Sequence, residues 1–321
     1  MREPDLTQLD ALAENALPLW DLPEDAKAIR INVSENVTYL VEGAGDRAVL
    51  RLNRPGYHTR RAIACELAWI EALRASGTVS TPPVRHGRDG VAIQKTGERH
   101  MVMFDFAEGA APSEDGDLSA GFRDLGEIAA RTHRHSIAWQ KPEPFERLTW
   151  DLDTVFGPDA TWGDWRAAPN VTVDIRAVLE GVETAVRARL NAFGKAEDRY
   201  GLIHADMRLA NLLIGPSGTT LIDFDDCGFG WHLYDFAAAI SFIEDSPQIP
   251  ALKTAWLDGY RSVRALPDDH AAELDTFVML RRMALLAWIG THIDAPEPQA
   301  LAADFARVSA ELGRAFLTAQ P

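Results

Sequence analysis

Near residue 109 the hydrophobic pattern of this chain changes period. Before it, short runs rich in β-branched and aromatic residues alternate with turn signals. They are Val37-Thr38-Tyr39-Leu40-Val41, Ala48-Val49-Leu50-Arg51-Leu52, Pro82-Pro83-Val84, Val91-Ala92-Ile93 and Met101-Val102-Met103-Phe104. A short helix over Leu6 to Ala16 and a connector precede them, and one helix, Arg60 to Ser76, interrupts them, with Gly77 placed to end it. After residue 109 helical periodicity dominates: Leu118 to His133, Val173 to Ala192, Leu252 to Val263, His270 to His292 and Gln299 to Thr318. Strands first and helices later predict an α+β chain in two lobes. Residues 1–108 form a small, mainly antiparallel β lobe with one key helix, and residues 109–321 a larger, mainly helical one. The Glu108-Gly109-Ala110-Ala111-Pro112 stretch is the natural boundary.

Composition narrows the function classes. Hydrophobic residues make up 46% and charged residues 25%, which excludes a disordered or low-complexity chain. Two cysteines, Cys65 and Cys227, argue against a disulfide framework. No apolar signal core follows Met1 and no run reaches the ~20 apolar residues of a membrane span, so a cytoplasmic location is expected. The net charge of −16 disfavours nucleic-acid and anionic-membrane partners, both polyanions. The excess is uneven: −3 over residues 1–108 and −13 over the remainder. An acidic larger lobe would attract a cationic or amine-bearing ligand.

Chemistry concentrates between Gly201 and Ala237. The runs Asn211-Leu212-Leu213-Ile214 and Thr220-Leu221-Ile222-Asp223 flank Gly215-Pro216-Ser217-Gly218, a hairpin signal. Folding back brings Asn211 and Asp223 to the open end, and Asp206 lies in the polar loop that feeds it. Two carboxylates and an amide oxygen suit Mg²⁺, which takes one or two carboxylates plus substrate phosphates. The carboxylate left over suits deprotonation of a hydroxyl, and His204 could hold the loop by a hydrogen bond. The alternative is an Asx-rich loop with solvated carboxylates.

The order His-x-Asp-x-x-x-x-Asn, hairpin, Asp-Phe resembles the protein-kinase catalytic loop and metal-binding turn. It looks most like the aminoglycoside phosphotransferase and choline kinase superfamily of protein-kinase-like fold. The Asp223-Phe224-Asp225-Asp226 turn is similar in style to homoserine kinase type II, hydroxylysine kinase and the bacterial stress-response kinases. The resemblance implies Asp206 as catalytic base, Asn211 and Asp223 as metal ligands, and Asp235 as a buried support of the loop. Asp225 enters as a second supporting carboxylate. The resemblance also implies ATP and Mg²⁺ as cofactors and a small-molecule hydroxyl as acceptor.

The smaller lobe supplies nucleotide parts. Glu66 falls inside the apolar stripe Ile63, Leu67, Ile70 and Leu73 at the helical rotation of about 100° per residue, so it needs a cationic partner, and Arg51 is the candidate. This pair resembles the kinase strand-three Lys and helix-C Glu that position the α- and β-phosphates, with Arg in place of Lys. A plain structural salt bridge is the alternative. No glycine-rich phosphate loop occurs; Asn32 to Thr38 stands in its place, and Ser34, Asn36 and backbone N–H groups could meet phosphate oxygens.

Two further features are ambiguous. Four of the nine tryptophans lie between Trp139 and Trp165, read either as a helical insertion or as an aromatic pocket wall. His133 and His135 near a helix end read as solvated side chains rather than a metal pair. Three functions compete: an ATP-dependent kinase of a small-molecule hydroxyl, a Ser/Thr protein kinase of the bacterial stress-response type, and a catalytically silent nucleotide-binding module.

Overall fold

A computed structural model describes residues 6–33, 36–112, 116–216 and 218–319. The chain opens with α1 (Leu6–Ala16), β1 (Lys27–Val33), β2 (Val37–Gly43), β3 (Asp46–Leu52), α2 (Arg60–Ala75), β4 (Val84–Arg85), β5 (Gln94–Thr96), β6 (Arg99–Asp105) and α3 (Ser119–Ala138). There follow β7 (Leu148–Trp150), α4 (Leu152–Phe156), α5 (Val173–Phe193), β8 (Tyr200–Ile203), β9 (Leu212–Gly215), β10 (Gly218–Leu221) and β11 (Gly228–Trp231). Helices close the chain: α6 (Tyr234–Ala239), α7 (Ile249–Val263), α8 (Asp268–Ala271), α9 (Leu274–Thr291), α10 (Pro296–Leu301) and α11 (Phe305–Thr318).

Two compact units form. The sheet unit takes Met1–Ala110, Gln140–Arg147 and Leu213–Asp225; the helical unit takes Ala111–Trp139, Leu148–Leu212 and Asp226–Pro321.

In the sheet unit the strands run in the order β1-β2-β3-β6-β4, with β5 also paired to β6, all antiparallel. Alternation divides β2, β3 and β6 between two faces. Tyr39, Val41, Leu50, Leu52, Met101 and Met103 are buried with Leu9, Ala13 and Trp20. On the other face the register aligns Leu40 with Val49 and Val49 with Phe104, all half-buried, and Arg51 shares that face. Thr59 caps α2 by accepting the Ala62 N–H, and Gly77, at φ +64°, takes the left-handed conformation just past its end.

In the helical unit β11 lies parallel to β7 and antiparallel to β8. Helices α3 and α7 pack backbone against backbone through two glycines. A Cβ on Gly126 would meet the Trp256 carbonyl, and one on Gly259 would meet the Arg123 carbonyl. Helix α9 is apolar on nearly every side and is packed by α5, α6 and α11.

Several expectations need correction. Residues 91–93 are not a strand: Gly87 N–H bonds the Val91 carbonyl and the Asp89 side chain takes the Val91 N–H, so the ladder starts at Gln94. The supposed connector before residue 30 contains β1, an edge strand whose Ile29 and Ile31 are 50% and 55% exposed and so show no buried alternation. The helix expected over His270 to His292 breaks at Glu273, whose carboxylate is taken by Arg189 and the Thr276 hydroxyl. Likewise the one expected over Gln299 to Thr318 divides into α10 and α11. The Trp-rich segment is not a helical insertion either. It carries β7 and the five-residue α4, and Trp150, Trp162 and Trp165 are buried in the helical unit.

Candidate active site

The helical unit carries the candidate base. After β8 the chain turns through His204-Ala205-Asp206, and Ala205 sits at φ +66°, a left-handed conformation costly for a residue with a Cβ. Asp235, in the first turn of α6, holds that turn. One carboxylate oxygen accepts the Ala205 N–H at 2.7 Å and the other the His204 N–H at 3.3 Å. His204 is fully buried, and its Nδ1 accepts the Asp206 N–H at 3.3 Å.

Asp206 itself is gripped from both sides. Asn211, at the end of a single 3₁₀ turn, donates Nδ2 to Asp206 Oδ2 at 2.9 Å and to its carbonyl at 2.8 Å. Arg281 donates Nη2 to Oδ1 at 3.0 Å, and Arg208 Nε lies 3.4 Å from the same oxygen. The Asp206 side chain is 14% exposed, so the carboxylate is anchored yet reachable. Burial works against its ionisation, but Arg208, Arg281, His204 and the Asn211 hydrogen bond outweigh burial and hold the carboxyl below its ordinary range. Asp206 is therefore ionised at neutral pH.

His133 is not a solvated helix-end residue. Its ring is fully buried, with Nε2 2.8 Å from Asp235 and Nδ1 3.0 Å from the Tyr260 hydroxyl. Helix α3 continues to Ala138, five residues past His133, so this position faces the packed interior.

The sheet unit carries a second cluster. Arg51 on β3 donates to Glu66 Oε2 on α2 at 2.8 Å, with side chains 7% and 0% exposed. Its other terminal nitrogen lies 3.4 Å from Asp225 Oδ1, and His58 Nε2 lies 3.5 Å from that oxygen. Arg147 donates to the Asp225 carbonyl and lies 3.9 Å from Glu66. Burial alone would depress the Arg51 guanidinium; Glu66, Asp225 and Asp223 outweigh it and keep Arg51 charged. Burial likewise opposes an ionised Asp225, but Arg51, His58 and Arg147 hold that carboxyl well below its ordinary range. Asn36 donates to Asp225 Oδ2 at 2.8 Å and accepts the Arg54 N–H at 3.1 Å, so its side chain is committed within the unit. Ser34 lies outside the described residues. Asp223 stands at φ +61° just beyond the β9–β10 hairpin.

Sequence reasoning missed Arg281, Arg208, His58 and Arg147. The Arg281-Arg282 pair carries a readable signal: two adjacent cations inside the apolar run of α9 must find partners. Those partners are Asp206 for Arg281 and Glu244, at 2.5 Å, for Arg282.

Among the described residues no group of three or more His, Cys, Asp or Glu forms a closed metal cage. Asn211, in the helical unit, and Asp223, in the sheet unit, each carry a hard oxygen donor of the kind Mg²⁺ accepts. No helix of the described residues is long and apolar enough to cross a membrane.

Known proteins fit this geometry. Residues 25–266 match the family described as the phosphotransferase enzyme family, and the chain belongs to it. The α+β fold is the protein-kinase-like one of that family, and the class is a kinase-type phosphotransferase. The structure of a microcompartment-associated aminopropanol kinase is 40% identical, with a TM-score of 0.89, covering 96% of this chain and 97% of that one. An amicoumacin kinase solved with AMP-PNP, Ca²⁺ and its antibiotic shares the fold at 20% identity and TM-score 0.76, covering 96% and 94%. The homoserine kinase of Gluconobacter oxydans is 28% identical over 74% of this chain and 76% of that protein. A match to a Synechocystis protein, 26% identical over 71% of this chain, spans 63% of that relative's length.

Proposed function

We propose that this chain transfers the γ-phosphate of ATP to the hydroxyl of a small amino alcohol. The observation that carries the reading is the Asp206 carboxylate, ionised, reachable, and fixed by Asn211 and Arg281. In the reaction the acceptor oxygen attacks the γ-phosphorus. The bond to the bridging oxygen of the departing ADP breaks, and Asp206 takes the hydroxyl proton. Arg51, held by Glu66 and Asp225, grips the α- and β-phosphates, and the half-buried Leu40, Val49 and Phe104 offer an apolar face for the base. Asn211 in the helical unit and Asp223 in the sheet unit each carry an oxygen that would serve Mg²⁺, which when bound would supply charge neutralisation on the phosphates.

The amine on the acceptor rests on the acidity of the chain beyond residue 108 and on the 40% identity to an aminopropanol kinase. The two arginines beside Asp206 favour a second reading, an acceptor that also bears a carboxylate, as a homoserine kinase relative would use. An ADP-release assay over amino alcohols, hydroxy amino acids, aminoglycosides and a protein acceptor separates these. Preferred turnover of amino alcohols is expected, and Asp206→Asn should lower kcat by about 10³-fold while MgATP binding persists. Turnover confined to hydroxy amino acids would select the second reading, and phosphate appearing only on protein would overturn both.

A further inference from the structure

Residues 140–147 follow α3 in the chain but belong to the sheet unit, where they strap the first turns of α2. The Glu146 N–H bonds Cys65 Sγ at 3.3 Å, and the hydroxyl of Thr59, the cap of α2, donates to the Glu146 carboxylate at 2.6 Å. Arg147 ends the strap with a side chain 0% exposed. It donates Nη1 to the Ala62 carbonyl in the first turn of α2 at 3.1 Å and Nη2 to the Asp225 carbonyl, and it lies 3.9 Å from Glu66 Oε2.

The place is a poor one for a cation on local grounds. The helix dipole is positive at an N-terminus, and the first turn of α2 holds Arg60 and Arg61 and no acidic residue. Burial adds a desolvation cost that two carbonyls offset only in part. The surrounding charges supply the reason. Glu66 and Asp225 are two carboxylates, 0% and 8% exposed, and Arg51 is one cation between them. Arg147 is the second cation, and the four make a neutral buried set. Of the other groups facing Asp225, Asn36 is a neutral donor to Oδ2 and the His58 ring lies 3.5 Å from Oδ1. Asp223 adds a further negative charge felt by Arg51. Without Arg147 the set is negative, and a polyphosphate approaching Arg51 meets a guanidinium whose charge two carboxylates already exceed.

We propose that Arg147 is a positioning residue for the phosphate grip. Its charge balances the second buried carboxylate, and its fork joins α2 to the turn that follows Asp223, so that Arg51 stands in a neutral cluster when phosphates arrive. The nucleotide part of this role rests on the phosphotransferase reading above; the charge balance within the sheet unit does not.

Calorimetric titration of the full chain with MgATP and with adenosine tests it. Arg147→Met should weaken MgATP by about 10-fold and leave adenosine, which carries no phosphate, within about twofold. Arg147→Lys keeps the charge without the fork and should hold MgATP within about threefold of wild type. Adding Asp225→Asn to Arg147→Met restores neutrality and should recover most of the lost MgATP affinity, a rescue that a purely structural tie would not show. Equal losses for MgATP and adenosine, a Lys variant as weak as Met, or no rescue in the double variant would overturn the proposal. Should Arg147→Met fail to fold, the Lys and double variants decide it. Melting temperatures give a readout free of nucleotide: Asp225→Asn should lower the melt of wild type and raise that of Arg147→Met. Wild-type protein that binds no MgATP would defeat the phosphotransferase reading, and that reversal of sign would then judge the charge balance, its absence overturning it.

Discussion

Arg281, a side chain 3% exposed in the middle of α9, donates through Nη2 to Oδ1 of Asp206, seventy-five residues earlier in the chain, at 3.0 Å. The guanidinium is fixed from behind by the Ser241 and Tyr234 hydroxyls, which its Nε and Nη1 meet at 3.2 Å and 3.4 Å, and by the Trp162 ring, 5.2 Å away. It therefore acts as a rigid wall for one carboxylate oxygen, while Asn211 holds the other.

Arg281→Met removes that wall and leaves Oδ1 to Arg208, with Asn211 still on Oδ2. The expected outcome is a loss of about 1–3 kcal/mol in urea denaturation, the cost of an unsatisfied buried partner. A fall in kcat of about 10-fold or more should accompany it. Unchanged values of both would show that the contact is idle.

Arg51→Met leaves Glu66 and Asp225 as buried carboxylates without their shared cation, a change that costs about 3–5 kcal/mol. Arg51→Lys keeps the charge, but an ammonium lacks the planar fork that meets two carboxylates at once. Thermal melts with and without MgATP should show Met far below Lys, Lys below wild type, and a weakened MgATP shift in both variants. Equal melts for Lys and wild type would deny the fork its role.

Asp223 occupies a left-handed position, where Asn is well tolerated and Ala is strained. Asp223→Asn therefore removes a charge with little backbone cost. Its melting temperature should stay close to wild type, while the Mg²⁺ concentration for half-maximal activity rises by about 10-fold or more. Asp223→Ala should show both the metal defect and a lower melting temperature. A Mg²⁺ requirement unaltered in the Asn variant would remove Asp223 from the metal site.

Burial pushes the Asp235 carboxyl up to about 6, against the pull of His204, the Ala205 and His204 peptides and Arg281. Its folded value lies above its unfolded one, so this group favours the folded state most at low pH. That contribution, about 3 kcal/mol, is lost as pH rises from about 4 through 6. Activity should run the other way: below pH 6 the protonated acid gives up acceptor capacity for the loop, and kcat falls. Asp235→Asn isolates the effect, because the difference in its stability from wild type should change across pH 4–6 and stay flat above 7. A constant difference from pH 4 to 8 would contradict the assignment.

Much of this site could be read from local pattern. Glu66 betrayed itself by interrupting an apolar stripe, and Arg51 was the cation on the neighbouring strand. The hairpin was written in its turn residues between two apolar runs. What escaped were interactions spanning long separations, such as Arg281 to Asp206 or His133 to Asp235 to Ala205. No periodicity within one element encodes them. The burial of His133 is not legible because the apolar periodicity fades at that point, while α3 runs on to Ala138 and buries the ring. The edge strand β1 went unseen because edge exposure erases the alternation that marks a strand.

The sheet unit is assembled from three separated stretches of chain, the last ending at Asp225. A ribosome that has released only the first 110 residues has made Arg51 and Glu66 but neither Arg147 nor Asp225, so the guanidinium waits with half its carboxylate partners unborn. The order of synthesis is thus an order of competence. The Arg51 cluster cannot be completed until about two thirds of the polypeptide, including the segment with Asp206 and Asn211, has been made. Cutting the gene at the apparent boundary near residue 109 would yield a strand-rich fragment that keeps the Arg51–Glu66 pair and lacks the Arg147 and Asp225 that flank it.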